Sequence, residues 1–150
     1  MICAKTPEAL SWLQKQFSQR RVKKSYMALV EGVLKDEEAI IDMPIERNPK
    51  KPQVFRVGSN GKSAVTLYKV VKTDGERSLI ELKPTTGRTH QLRVHLEHLG
   101  HPIVGDTFYG GKPAERLFLH AVSLELTLPN RERKTFKVPV PELFAQQLKS

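Results

Sequence analysis

The spacing of apolar residues changes period early in the chain, and that change most constrains the fold. Leu10, Leu13 and Phe17 lie at i, i+3 and i+7, one face of a helix expected over residues 7–20. Thr6 suits its cap, Pro7 its first position and Glu8 the positive end of its dipole. From Lys24 onward, strand formers dominate. Strands are expected over residues 24–32, 38–43, 53–57, 63–72, 77–83, 117–128 and 134–140. Residues 44–52 read as a Pro- and Lys-bearing loop, Gly58-Ser59-Asn60-Gly61 as a hairpin turn, and Asp74-Gly75 as another turn. A second helix is expected from Thr89 or His90 to about Leu99, capped by Thr89 and ended by Gly100 and Pro102. Leu92, Leu96 and Leu99 form its core stripe, and a short helix closes the chain over 141–149. Many strands with few helices imply an α+β class: a mixed, mainly antiparallel sheet with a few flanking helices.

The 150 residues fit a single domain spanning 1–150. No run of about 18 apolar residues is present to span a membrane, and residues 1–6 are too short for the apolar core of a signal peptide. The single cysteine, Cys3, excludes an intramolecular disulfide framework and reads as a small core residue, so a cytoplasmic location is expected. The 25 Lys and Arg outnumber the 16 Asp and Glu, a net charge of +9. Such a surplus favours a polyanionic partner, because each cation that neutralises a phosphate releases a counterion.

Residues 83–95 concentrate the candidate chemistry: a strand end, the Gly87 turn and a helix start beside Arg88, an arrangement suited to phosphate. Arg93 falls at the edge of the helix stripe. It reads either as a surface partner of Glu97 at i+4 or as a guanidinium reaching into a cleft between helix and sheet. His90, His95, His98 and His101 crowd within twelve residues, yet no cysteine or carboxylate stands at ligand spacing beside them. No metal is therefore expected, and capping, packing or RNA contact suits them better. Tyr26 is either a half-buried strand aromatic or a ring on which an extruded base stacks. Arg20, Arg21, Lys23 and Lys24 form either a solvated connector or a phosphate-contacting edge, aided by Lys50, Lys51, Arg56 and Lys62.

The run Gly87-Arg88-Thr89-His90-Gln91-Leu92-Arg93-Val94-His95 is followed by Leu99-Gly100-His101-Pro102-Ile103 and then Gly105-Asp106-x-x-Tyr109-Gly110. Together they resemble the signature of RluA-type RNA pseudouridine synthases. Lys24-x-Tyr26-x-Ala28-x-Val30-x-Gly32 resembles that family's tyrosine motif, and Gly61-Lys62-x-Ala64-x-Thr66 and Leu117-x-Leu119-His120-Ala121 match in order. The resemblance implies the pseudouridine synthase catalytic fold, an RNA partner such as structured rRNA or tRNA, no DNA or membrane partner, and no cofactor. It implies that Arg93 pairs with a catalytic aspartate and that Tyr26 stacks on the uracil and assists at its C5. Arg88, Thr89 and His90 would shape the RNA-facing entrance.

In that family a histidine–arginine–leucine–aspartate stretch, followed by Thr-Ser-Gly, carries the aspartate just upstream of a strand like residues 2–6. This sequence holds no such stretch, and Asp36, Asp42, Asp74 and Asp106 stand in other contexts. The expectation is a catalytic domain truncated on its N-terminal side, without an S4-type RNA-binding domain, and inactive alone. A non-catalytic RNA-binding fragment or pseudoenzyme is the rival. A structural ribosome-associated protein and a metalloenzyme are more remote ones.

Overall fold

The computed structural model describes residues 5–18 and 22–148. Helix α1 (Pro7–Ser18) precedes strands β1 (Lys23–Glu31), β2 (Glu38–Asp42), β3 (Ile45–Arg47), β4 (Phe55–Val57), β5 (Val65–Thr73) and β6 (Arg77–Pro84). Helix α2 (Gln91–His98), a 3-10 turn (Thr107–Tyr109), strands β7 (Leu119–Thr127) and β8 (Arg133–Lys137) and helix α3 (Glu142–Gln146) follow. Six strands form one sheet in the order β2-β5-β6-β1-β7-β8, and β3 and β4 form a separate ribbon. Every neighbouring pair among the described residues is antiparallel, so the α+β expectation resolves to an antiparallel sheet.

Strand β1 sits at the centre and is buried on both faces from Met27 to Val30, which explains its unbroken apolar run. α2 covers one face with Leu92 and Leu96, and Phe144 of α3 packs edge-on against Phe118, their centroids 5.2 Å apart. Where β1 meets β7, Ser25 pairs with Ser123 but Tyr26 pairs with Ala121. The extra β7 residue makes a bulge beside Tyr26, a device that re-aims neighbouring side chains.

Three expectations need correction. Residues 44–52 are not all loop, because Ile45–Arg47 pairs with Phe55–Val57, and Glu46 holds Arg56 across the ribbon at 3.2 Å. Gly58–Gly61 does not turn one strand onto the next, since β4 returns to β3 while β5 pairs with β2 and β6. A side chain at Gly61 would meet the Ile45 carbonyl carbon at 2.4 Å, so this glycine permits close passage over β3. The α1 stripe is also rotated: Leu10 is 49% exposed, while Trp12 donates its indole N–H to the Thr127 carbonyl and Gln16 Oε1 accepts from Thr127 N–H. The bulky indole and its hydrogen bond outweigh the leucine pattern in setting the docked face. The Thr6 cap holds, with its hydroxyl accepting from Ala9 N–H. Cys3 and the strand-like residues 2–4 lie outside the described residues. Among the described residues no helix is long and apolar enough to cross a membrane.

Candidate functional site

β6 ends at Pro84, and the chain reverses through residues 85–90 into α2. Thr89 does not cap that helix. His90 occupies the position in a left-handed conformation (φ 55°, ψ 22°) and makes no side-chain cap bond. Gln91 instead braces the turn that leads into the helix. Its Oε1 accepts from Arg88 N–H at 3.1 Å and from the Thr86 hydroxyl, while its amide donates to Val65 O and Thr66 Oγ1, each at 2.9 Å. Arg88 N–H is therefore consumed by the protein.

The same network continues into His95, which is wholly buried. His95 Nε2 donates to the Met43 carbonyl, so Nδ1 accepts from the Thr66 hydroxyl, each contact 2.9 Å. Burial keeps this imidazole below the ordinary histidine range, and the Met43 bond opposes the shift only in part. Both ring nitrogens thus serve the fold. His101 donates from Nδ1 to the Glu31 carbonyl, and His90 Nδ1 lies 2.7 Å from the Tyr109 hydroxyl. That hydroxyl also accepts from Phe55 N–H, which leaves its own proton available to His90. Burial, and then the nearby Arg93 charge, lower the His90 pKa and favour the neutral ring.

The opposite flank of α2 faces a cleft of about 230 Å³ between the helix and β1. Tyr26 and Arg93, the two residues expected to be catalytic, both line it, with Lys24, Arg88, His90, Leu92 and Leu119. Alternation along β1 puts Lys24 and Tyr26 on the face that α2 covers. Burial raises the Tyr26 pKa and lowers that of Lys24. Among the described residues nothing hydrogen-bonds the Tyr26 hydroxyl, and no carboxylate lines the cleft.

Arg93 does not pair with Glu97. Its Nε and Nη2 donate to the two carboxylate oxygens of Asp106, both at 2.8 Å, and the guanidinium carbon lies 5.0 Å from the Tyr109 ring centroid. The Asp106 side chain is 1% exposed and that of Arg93 19%. This fork-to-fork bond, the larger cause, raises the Arg93 pKa despite burial. Two of the three guanidinium nitrogens are thus fixed from behind, and among the described residues nothing engages Nη1. Asp106, Tyr109, Gln91, Thr66 and Thr86 escaped the sequence reading as site residues. Tyr109 appeared there only as a motif letter and Asp106 as a motif letter set aside as the catalytic aspartate, with no local spacing tying either to Arg93.

The expected RNA contacts divide. Lys62, Arg88 and Thr89 line a second cavity of about 400 Å³ with Arg47 and Phe55, next to the first. Lys23 is exposed on β1 two residues from Lys24's neighbour Ser25. Arg56 is engaged with Glu46, and Lys50 and Lys51 stand on an exposed loop that lines neither cavity. Arg20 and Arg21 lie outside the described residues.

Residues 1–98 match the RNA pseudouridylate synthase family. The chain belongs to that family. It is 41% identical over 150 residues to an uncharacterized RNA pseudouridine synthase of Zymomonas mobilis, covering 96% of this chain and 68% of the relative. It is 37% identical over 143 residues to the ribosomal large subunit pseudouridine synthase C of Vibrio cholerae, covering 89% of this chain and 45% of that one. Among solved structures, the human RNA pseudouridylate synthase domain containing 1 superposes with a TM-score of 0.81 at 34% identity, covering 91% of this chain and 62% of that one. The chain thus spans about half to two thirds of the length of these pseudouridine synthase relatives.

Proposed function

We propose that this chain supplies the arginine and tyrosine side of a site that isomerises uridine in RNA to pseudouridine. The observation that carries the proposal is the convergence of Arg93 and Tyr26 on one open cleft with a basic rim. Structured rRNA or tRNA is the substrate class that suits the basic rim and the net charge of +9. The uridine must leave its stack to enter, at a cost of a few kcal/mol.

In the reaction the N1–C1′ bond breaks, the uracil turns, and C5 bonds to C1′ while the C5 proton departs and N1 gains one. Tyr26, its phenol kept neutral by burial, offers a flat ring to the uracil and a hydroxyl near its edge. Arg93, fixed by Asp106, would use its remaining donors to pair with a carboxylate entering the cleft. That pairing keeps such a carboxylate ionised in a partly dry cleft. Asp106 cannot be that carboxylate, because its side chain is 1% exposed and both oxygens are engaged.

In this reading the reacting carboxylate is supplied by residues outside 1–150, and the polypeptide of these 150 residues alone is expected to be inactive. Tritium release from RNA carrying uridine labelled at C5 tests this directly: turnover by residues 1–150 alone would sink it. One observation favours a rival, a non-catalytic RNA-binding role, since no carboxylate lines the cleft among the described residues. Adding the family's aspartate-bearing segment separates the two readings, because a pseudoenzyme stays silent after the addition.

A further inference from the structure

A second cavity adjoins the first. It lies between the β3–β4 ribbon and the Gly87–Thr89 turn, and its volume of about 400 Å³ is in the range of small-molecule sites. Three cations line it: Arg47, Lys62 and Arg88. The one carboxylate on its wall, Glu46, is held by Arg56 at 3.2 Å, so the cavity stays basic.

Its flat surface is preassembled. The Arg47 guanidinium lies 4.8 Å from the Phe55 ring centroid and donates to the Pro52 carbonyl. Phe55 is steadied in turn, with its ring edge-on to His90 at 5.8 Å and its N–H donating to the Tyr109 hydroxyl. Lys62 is placed by a pair of backbone hydrogen bonds with Ile45, at 2.9 and 3.0 Å. Arg88 Nε donates to the Ser63 carbonyl, which anchors that side chain at the boundary. Gly87 and Arg88 line both cavities. A strand that places one nucleotide beside Tyr26 therefore crosses Arg88, and its next nucleotide meets Arg47.

We propose that this second cavity binds the nucleotide adjacent to the target uridine in a single-stranded stretch of RNA. The base stacks on the Arg47 plane backed by Phe55, and the connecting phosphates lie between Arg88 and Lys62. The inference rests on the proposed RNA-directed function and adds a subsite that reads a neighbouring base. A guanidinium backed by an aromatic ring suits this task, because bases stack on arginine planes as well as on aromatic side chains.

The test uses the 150-residue chain and a fluorescein-labelled single-stranded pentauridylate RNA, followed by anisotropy. Arg47→Ala is expected to weaken binding about 5-fold or more, the lower end of the effect of losing one stacked base. Lys62→Ala should flatten the slope of log Kd against log salt by about 0.7, the value for one phosphate on a single strand. Lys51→Ala, an equal loss of charge outside both cavities, should do markedly less. All three side chains are exposed, and circular dichroism checks that each variant remains folded. Losses at Arg47 and Lys62 no larger than at Lys51 overturn the subsite while leaving RNA binding, and so the proposed function, standing. Failure of the unaltered chain to bind the pentamer overturns the subsite. An inorganic polyphosphate that binds as tightly and loses as much in Arg47→Ala would reveal a plain anion site and also overturn the proposal.

Discussion

The two flanks of α2 use polar groups in opposite ways. On the flank against β5, Gln91, Thr86, Thr66 and His95 spend their donors and acceptors on one another and on backbone groups. On the flank facing β1, among the described residues, the Tyr26 hydroxyl is unengaged and Arg93 keeps the donors of Nη1. The saturated side chains are buried, with Gln91 and Thr86 forming part of the cleft wall, whereas Tyr26 and Arg93 open into the cleft. Buried polar groups stabilise a fold only when satisfied, so spare capacity marks the flank that meets something from outside. A residue on the first flank should accordingly govern stability, and a residue on the second should govern ligand binding and turnover.

The largest stability effect should come from Gln91→Ala. It strands the Arg88 N–H, removes one donor from the Val65 carbonyl, which keeps the Thr85 N–H, and leaves the Thr86 and Thr66 hydroxyls without their amide partner. A loss of about 3 kcal/mol in urea unfolding is expected from buried groups left unpaired. A loss below about 1 kcal/mol would mean that the network does not hold the helix start. Asp106→Asn should cost about 2 kcal/mol, less than for a fully buried pair because part of the Arg93 side chain reaches solvent. The amide keeps one acceptor but loses the charge, so Arg93 should also become less ordered, visible as faster exchange of its Nε proton in NMR.

Acidification sharpens the contrast next. His95 accepts a hydrogen bond at Nδ1, and both it and His90 have lowered pKa values, chiefly through burial. A histidine whose folded pKa is depressed contributes stability that is complete above the unfolded value of about 6.5 and drains away as pH falls towards the folded value. Thermal melts should therefore show Tm dropping between pH 7.5 and 5.5, with a shallower slope in His95→Gln. Equal slopes would place the pH sensitivity elsewhere. The smallest effect on stability should be that of Tyr26→Phe, within about 0.5 kcal/mol of the unaltered chain, since its hydroxyl makes no bond among the described residues.

The strands were legible because the apolar run of β1 and the turn residues at Asp74-Gly75 act locally. Partners across the sheet were less legible. Gly58–Gly61 carries turn chemistry, yet its glycines permit passage over β3, a long-range contact that local pattern does not encode. The pairing of Tyr26 and Arg93 in one cleft was readable from family motifs. The carboxylate behind Arg93 was not, since Asp106 reaches it only through the 3-10 turn and the packing of Tyr109. The role of Gln91 was hidden for a similar reason: its partners lie on β5 and the Gly87 turn, up to 26 residues away in sequence.

Turnover after restoring an aspartate decides the matter most directly. The chain would be extended at its N-terminus with the histidine–arginine–leucine–aspartate segment that the family resemblance implies, and tritium release from C5-labelled uridine RNA compared with and without Arg93→Ala. The expected result is turnover by the extended chain, a fall of about 100-fold or more in Arg93→Ala, and a far smaller change in RNA affinity. Undiminished turnover in Arg93→Ala would contradict the assignment of this arginine to the reacting carboxylate.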